Sequence, residues 1–164
     1  MIISNNLSLY KIRNSPKSSM FPRFYHQKKI FYNNLPNKYK PIFLALATSG
    51  LRISELLNCE VDKTNRMLIP KSHNGSTKQC WISFYNDEVD FIEHLNVKPC
   101  VVAHTFKKVA RKTGIKITHI LRSIFTREMS RAGVQDRYID AFCGRVPQSV
   151  LARHYSDYSP EVLR

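Results

Sequence analysis

Acidic residues are scarce in this chain of 164 residues, with 12 Asp and Glu against 26 Lys and Arg. Paired cysteines are also lacking, because Cys59, Cys80, Cys100 and Cys143 are scattered; this argues against a zinc site with closely spaced ligands. No apolar run approaches the ~20 residues of a membrane span, and the segment Met1–Asn6 lacks the layout of a signal peptide. We therefore expect an intracellular protein whose thiols are reduced and buried.

The formal net charge of +14 favours a polyanionic partner, either nucleic acid or an acidic membrane surface. A membrane-binding helix would carry a Lys-rich face opposite a wide face of Trp, Phe and Leu. No segment shows that arrangement, so nucleic acid is the favoured partner and a membrane is not expected.

One folded domain is predicted, preceded by an arm. Residues 1–35 are polar and basic, contain Pro16 and Pro22 and show weak periodicity, which is typical of a partly ordered arm. Residues 36–164 are predicted to form the domain, which is mainly α with one small β-hairpin.

Local signals place the elements of this domain. Pro41 suits the first turn of a helix that is broken at Ser49–Gly50, and a second helix follows at once. Strands at Met67–Pro70 and Cys80–Phe84 are predicted to form the hairpin around a turn at His73–Ser76. Further helices are predicted at Asn86–Leu95, Val101–Thr113, Thr118–Gly133, Gln135–Cys143 and Pro147–Tyr155.

Four features of the helices could carry chemistry. Arg52 begins a helix, His119 and Arg122 share one helix face, Arg145 follows a glycine, and Tyr155 lies near the last residue. Each has an ordinary interpretation as a surface charge or a packing residue when it is considered alone. Their order along the chain is the stronger signal.

In that order the chain resembles the catalytic domain of tyrosine recombinases, the integrase family, over about residues 38–160. The resemblance is carried by Thr48-Ser49-Gly50-Leu51-Arg52-Ile53-Ser54-Glu55-Leu56, by His119-Ile120-Leu121-Arg122 and by a tyrosine ten residues after Gly144-Arg145. The segment Ala152-Arg153-His154-Tyr155-Ser156-Asp157-Tyr158 is similar to the archaeal and archaeal-virus branch. The resemblance implies the fold of that catalytic domain and a site made of Arg52, Lys78, His119, Arg122, Arg145 and Tyr155.

The resemblance also implies a reaction in which Tyr155 cuts DNA, remains joined to its 3′ phosphate and is later displaced when the strand is rejoined. Arg52 and Arg122 would hold the phosphate oxygens, His119 would accept a proton, and a hairpin lysine would protonate the leaving oxygen. Lys78 is favoured over Lys71 for that last role. No metal or cofactor is implied.

Three points depart from the family pattern or remain open. Arg145 stands where the family carries His, so phosphate binding should persist there while proton transfer is in doubt. Tyr155 is favoured as the nucleophile over Tyr158, which precedes Ser159-Pro160. Glu55 is equally compatible with a brace for Arg52 and with an exposed helix acid.

The expected partner is a double-stranded DNA attachment site, bound by a homo-oligomer, a tetramer on DNA, in the cytoplasm and associated with the nucleoid. The alternative is a catalytically incomplete DNA-binding fragment of an integrase. That alternative is prompted by the lack of a clear N-terminal DNA-clamping domain and by the nine residues that follow Tyr155.

Overall fold

The predicted class, mainly α with a small sheet, is confirmed. The computed structural model describes residues 21–71, 83–84, 96–115, 120–145, 149–150 and 157–163. Its helices are α1 (Phe21–Asn33), α2 (Lys40–Ser49), α3 (Ile53–Leu56), α4 (Pro99–Thr113), α5 (Ile120–Arg131), α6 (Asp136–Phe142) and α7 (Pro160–Leu163), and its strands are β1 (Cys59–Asp62), β2 (Met67–Pro70) and β3 (Ser83–Phe84).

The sheet has one strand more than the predicted hairpin. Strands β2 and β3 pair antiparallel, with Leu68 opposite Ser83, as the hairpin prediction requires. Strand β1 pairs with the other edge of β2, again antiparallel, and gives the order β1-β2-β3. The β1 sequence, Cys-Glu-Val-Asp, alternates apolar and acidic residues over only four positions, which is too short a run to have predicted a strand by itself. The predicted turn His73–Ser76 lies outside the described residues.

The helical domain begins earlier than the sequence patterning predicted. Helix α1 covers Phe21–Asn33, and the rings of Phe31 and Phe43 stack at 5.8 Å between centroids. Phe31 is fully buried and Leu35 nearly so, hence part of the segment interpreted as an arm belongs to the core. The rings of Phe31 and Tyr32 both contact the ring of Phe43, so the last part of α1 packs on the core. Residues 1–20 lie outside the described part.

Helix ends follow the local signals. Pro41 lies in the first turn of α2, and Gly50 ends that helix in the left-handed region at φ 70°. Gly114 ends α4 in the same way at φ 69°, and Gly133 follows α5 at φ 84°. Glycine accepts this backbone region without a steric penalty, which explains why these ends could be predicted. The helices predicted at Asn86–Leu95 and Pro147–Tyr155 lie outside the described residues, apart from residues 149–150.

Two apolar clusters meet at α5. Leu121 and Ile124 belong to the larger cluster, which joins α1, α2, α3, β2 and α4. Phe125 belongs to the smaller one, which it forms with Phe142, Cys143 and Leu163. Helix α5 is therefore held from two sides, and α2 packs along it.

The thiols are less uniform than predicted. Cys143 is buried and Cys59 half-buried, but Cys100 is exposed at the start of α4, so the expectation of buried thiols is wrong at that position. Its place in the first turn of α4 explains the exposure, because the opposite face of that helix carries the buried residues. Cys80 lies outside the described residues. None of the described helices is long and apolar enough to cross a membrane.

Candidate functional site

A cavity of about 670 Å³ lies where the starts of α3, α4 and α5 meet. Three of the residues predicted from sequence line it: Arg52, Arg122 and Arg145. They come from separate elements that are far apart in sequence, so the fold brings together what the motif order suggested. The remaining lining residues are uncharged, either apolar or weakly polar: Leu46, Leu51, Ile53, Ser54, Pro99, Cys100, Ala103, Phe106, Leu121 and Ser123.

Arg52 is positioned by the turn between α2 and α3. The left-handed Gly50 reverses the chain at the end of α2, and the buried Leu51 anchors the turn in the larger cluster. Arg52 then adopts an extended conformation, φ −81° and ψ 159°, as the residue that precedes α3. Its side chain is about half exposed (49%) on the cavity.

Glu55 braces this turn. Its Oε2 accepts a hydrogen bond of 2.8 Å from the backbone N–H of Arg52, and its Oε1 lies 3.5 Å from Arg52 Nη1. Glu55 is only 3% exposed, so the interpretation as an exposed helix acid is wrong and the brace is confirmed. A buried carboxylate needs such partners, and at the first turn of a helix it also meets the positive end of the helix dipole.

A second support was not foreseen from the sequence. The Ser83 hydroxyl on β3 donates a 2.6 Å hydrogen bond to the carbonyl of Ser49, and the Ser49 hydroxyl accepts one from Leu51 N–H at 3.3 Å. Both serines are buried. The sheet is thereby attached to the turn that carries Arg52. The sequence offered no signal for this pair, because its members are 34 residues apart.

Arg122 lies in the first turn of α5 and is partly exposed on the cavity. Its Nε and Nη2 atoms are buried, and no described residue accepts a hydrogen bond from them. An unsatisfied buried donor typically costs about 1–3 kcal/mol, and more when the group is charged. An anion that approached this guanidinium would supply the missing acceptor.

Arg145 is placed by the end of α6. The N–H of Arg145 donates to Asp140 O at 2.9 Å and that of Gly144 to Ala141 O at 2.8 Å, while Gly144 has φ 62°. This is the paired hydrogen-bond pattern of a Schellman helix end. Arg145 Nη1 also contacts Asp140 Oδ1 at 2.8 Å, an ion pair that the sequence analysis did not identify.

Gly50 and Phe125 form a close contact between the turn that carries Arg52 and the helix that carries Arg122. A methyl group built at Gly50 would lie 2.6 Å from Phe125 Cδ1, far inside contact distance. Gly50 is two residues before Arg52, and Phe125 is one helical turn after Arg122 on α5. The ring also meets Phe142 edge-on at 5.9 Å, so it is held from its other side.

The other residues predicted for the site, and the two rival candidates, lie outside the described residues or do not line this cavity. Lys78, His119 and Tyr155 lie outside the described residues, so their assignments stay predictions. Lys71 is exposed, its N–H donates to Asn58 O, and it does not line the cavity. Tyr158 is partly buried, packs edge-on against Tyr138 at 6.1 Å and likewise does not line the cavity.

Charge defines what the cavity can bind. Three guanidinium groups are opposed by two carboxylates, Glu55 and Asp140, so the cluster keeps a net positive charge. Guanidinium groups present planar pairs of donors that match the oxygens of phosphate or carboxylate. Within the described ranges, no three His, Cys, Asp or Glu side chains lie close enough to share a metal ion. The arrangement is chemically an oxyanion site.

Comparison with known proteins bears on what that oxyanion is. A family model described as archaeal phage integrase matches residues 26–159, which is most of the chain. A crystal structure of XerA recombinase has a similar fold, with a TM-score of 0.60 and 18% identity over 92% of this chain. The alignment covers 64% of that structure, so this chain spans about two-thirds of its length. No curated protein matches.

Proposed function

Because the chain belongs to the archaeal phage integrase family, we propose that it is the DNA-cleaving and DNA-joining domain of a site-specific recombinase. The observation that carries this proposal is the convergence of Arg52, Arg122 and Arg145 on one cavity, with two buried Arg122 nitrogens that lack a described partner. A backbone phosphate fits this cluster by charge and by donor geometry.

The proposed reaction is a transfer of the DNA phosphoryl group to Tyr155. The phenolic oxygen of Tyr155 forms a bond to phosphorus while the bond from phosphorus to the 5′ oxygen breaks. The phenol proton passes to His119, and Lys78 supplies a proton to the departing 5′ oxygen. The reverse sequence, begun by a 5′ hydroxyl of another strand, rejoins DNA without ATP because the phosphotyrosine conserves the bond.

The arginines act on the transition state of this transfer. The phosphorane carries more negative charge on its non-bridging oxygens than the substrate does, and fixed cationic donors stabilise it preferentially. Arg52 and Arg122 are proposed to bind those oxygens. Arg145 is proposed to contribute a third donor, without the proton-transfer capacity that His has at the corresponding family position.

The partner is proposed to be double-stranded DNA, since the charge of +14 favours a polyanion. The exchange of strands between two duplexes needs four cleavages, and each subunit supplies one tyrosine. We therefore propose a homo-oligomer, a tetramer when assembled on DNA, for the joining of a viral genome to a host chromosome.

A covalent adduct tests the proposal directly. The full chain is incubated with a pool of labelled duplexes that carry a nick beside a randomised segment, so that a short cleaved strand diffuses away and traps the enzyme on DNA. The expected result is a labelled protein band that survives SDS, and sequencing of the trapped DNA then gives the target. Peptide mapping should place the phosphate on Tyr155.

Variants separate the proposal from its alternatives. Tyr155→Phe and Arg122→Ala should abolish the adduct while DNA binding stays within about tenfold, because many other cations share the phosphate contacts. Arg131→Ala, on the same helix but away from the cavity, is the matched control and should form the adduct. DNA binding without any adduct from the natural chain would favour the incomplete DNA-binding fragment, and adduct formation by Tyr155→Phe would overturn the nucleophile assignment.

A further inference from the structure

The end of α6 departs from the usual form of its capping motif. In a Schellman helix end, the residue two after the cap and the residue three before it commonly make a hydrophobic contact. Here those two positions are Arg145 and Asp140, and an ion pair of 2.8 Å replaces the apolar contact. The same two residues are also joined through the backbone, by the 2.9 Å bond from Arg145 N–H to Asp140 O.

This double link restricts where the guanidinium of Arg145 can lie. The backbone bond and Gly144 fix the starting point of the side chain, and the Asp140 carboxylate binds its far end at Nη1. The Arg145 side chain is 55% exposed, so without Asp140 a long side chain of this kind would sample many rotamers. Arg145 also lines the cavity, so its guanidinium is bound to Asp140 at the edge of that cavity.

We propose that Asp140 is a positioning residue for the reaction. Asp140 holds the Arg145 guanidinium at the phosphate site, which the guanidinium would otherwise occupy only part of the time. The inference rests on the proposed function. The Asp140 carboxylate would thereby compensate for the flexible arginine at position 145, where the family has a more compact histidine.

The proposal makes binding and cleavage change in opposite directions. Asp140→Asn removes a negative charge beside the DNA-binding cavity, so DNA affinity should stay equal or rise. Cleavage should nevertheless slow by about three- to tenfold, because Arg145 is no longer held in place. Asp140→Glu, which keeps the charge on a longer side chain, should restore part of the rate. A role confined to helix stability would not separate binding from cleavage.

The matched control is Asp136→Asn, an exposed acid in the first turn of the same helix. It removes the same charge and should leave the cleavage rate within about twofold of the natural chain, since surface substitutions of this kind have small effects. In an Arg145→Ala background, Asp140→Asn should have no further effect on cleavage. Equal rates for Asp140→Asn and Asp136→Asn would overturn the proposal, as would a full Asp140→Asn effect in the absence of Arg145.

A second measurement does not depend on catalysis. The side-chain N–H signals of Arg145 in ¹⁵N NMR spectra should report slowed guanidinium rotation in the natural chain and fast rotation in Asp140→Asn. Signals unchanged by that substitution would overturn the inference, even if the natural chain forms the DNA adduct. Signals that change as expected in a chain that forms no adduct would instead reject the proposed function and leave the positioning of Arg145 by Asp140 supported.

Discussion

Replacement of Gly50 by alanine tests how tightly the turn that carries Arg52 is fixed to α5. Gly50 has φ 70°, a conformation that costs an L-residue about 1–2 kcal/mol. The added methyl group would also lie 2.6, 2.7 and 3.2 Å from three ring atoms of Phe125, so the ring or the turn must move by about 1 Å. Overpacking of this kind typically costs about 1–3 kcal/mol. We expect Gly50→Ala to lower the free energy of unfolding by about 2–5 kcal/mol.

Gly114 provides a control for the backbone contribution. It ends α4 at φ 69°, but a methyl group built there meets nothing within 4 Å. Gly114→Ala should therefore cost only the conformational term, about 1–2 kcal/mol. In a Phe125→Ala background, where all three contacting ring atoms are gone, Gly50→Ala should cost the same as Gly114→Ala. Urea denaturation followed by circular dichroism measures all these values.

The same substitution should affect catalysis under conditions where the variant is still folded. Displacement of the turn moves Arg52 relative to Arg122, and a misplacement of about 1 Å can reduce a rate on the order of 100-fold. Adduct formation by Gly50→Ala should fall far more than that by Gly114→Ala. If the two variants lose equal stability and equal activity, the contact between Gly50 and Phe125 does not fix the distance between the arginines.

Three further predictions concern single side chains. Burial lowers the pKa of Lys28 to about 8, so its charge is disfavoured in the folded chain. Lys28→Met should therefore stabilise by about 1 kcal/mol at pH 7, a value reduced for partial exposure, and by less near pH 9.5, where the folded chain has already lost this proton. Urea titrations at the two pH values measure the difference, and an equal gain at both would contradict it. Bound DNA should protect the exposed Cys100 from iodoacetamide at pH 8, and mass spectrometry would map the labelled thiols. Cys59 should react slowly with or without DNA, because burial raises its pKa to about 11. Equal labelling of Cys100 with and without DNA would place DNA elsewhere. Glu55→Gln should lower the free energy of unfolding by about 1 kcal/mol and slow adduct formation at least tenfold, and an unchanged rate would limit Glu55 to a structural role.

Helix ends were predictable from sequence because their causes are local. A glycine that must adopt positive φ, as at Gly50 and Gly114, is recognisable from the few residues before it. Strand β1 and helix α1 were not predicted, for different reasons. The alternation in β1 covers only four residues, so it is recognisable mainly through the pairing of Val61 with Leu68. Helix α1 shows weak periodicity, and the stacking of Phe31 on Phe43 of another helix leaves no signal in its own sequence.

The candidate site divides in the same way. The order of motifs identified Arg52, Arg122 and Arg145, and the structure places all three on one cavity. The side chains that hold these arginines were harder to predict: Glu55 was compatible with two interpretations, and nothing in the sequence singled out Asp140. Such braces are difficult to predict, because an acid three or five residues from an arginine is common on helices and only burial or geometry distinguishes a brace from a solvated charge.

The braces also distinguish the three arginines. Arg52 and Arg145 each have Nη1 near a carboxylate, which fixes the side chain and offsets part of its charge. The Nε and Nη2 atoms of Arg122 are both buried, and no described residue accepts a hydrogen bond from either of them. Because a desolvated, unsatisfied cation gains most from an arriving anion, we expect Arg122 to gain more from a bound anion than Arg52 and Arg145, which already contact carboxylates. For the proposed site we therefore expect anion affinity to fall most in Arg122→Ala, whereas Glu55→Gln and Asp140→Asn should mainly disturb the placement of Arg52 and Arg145.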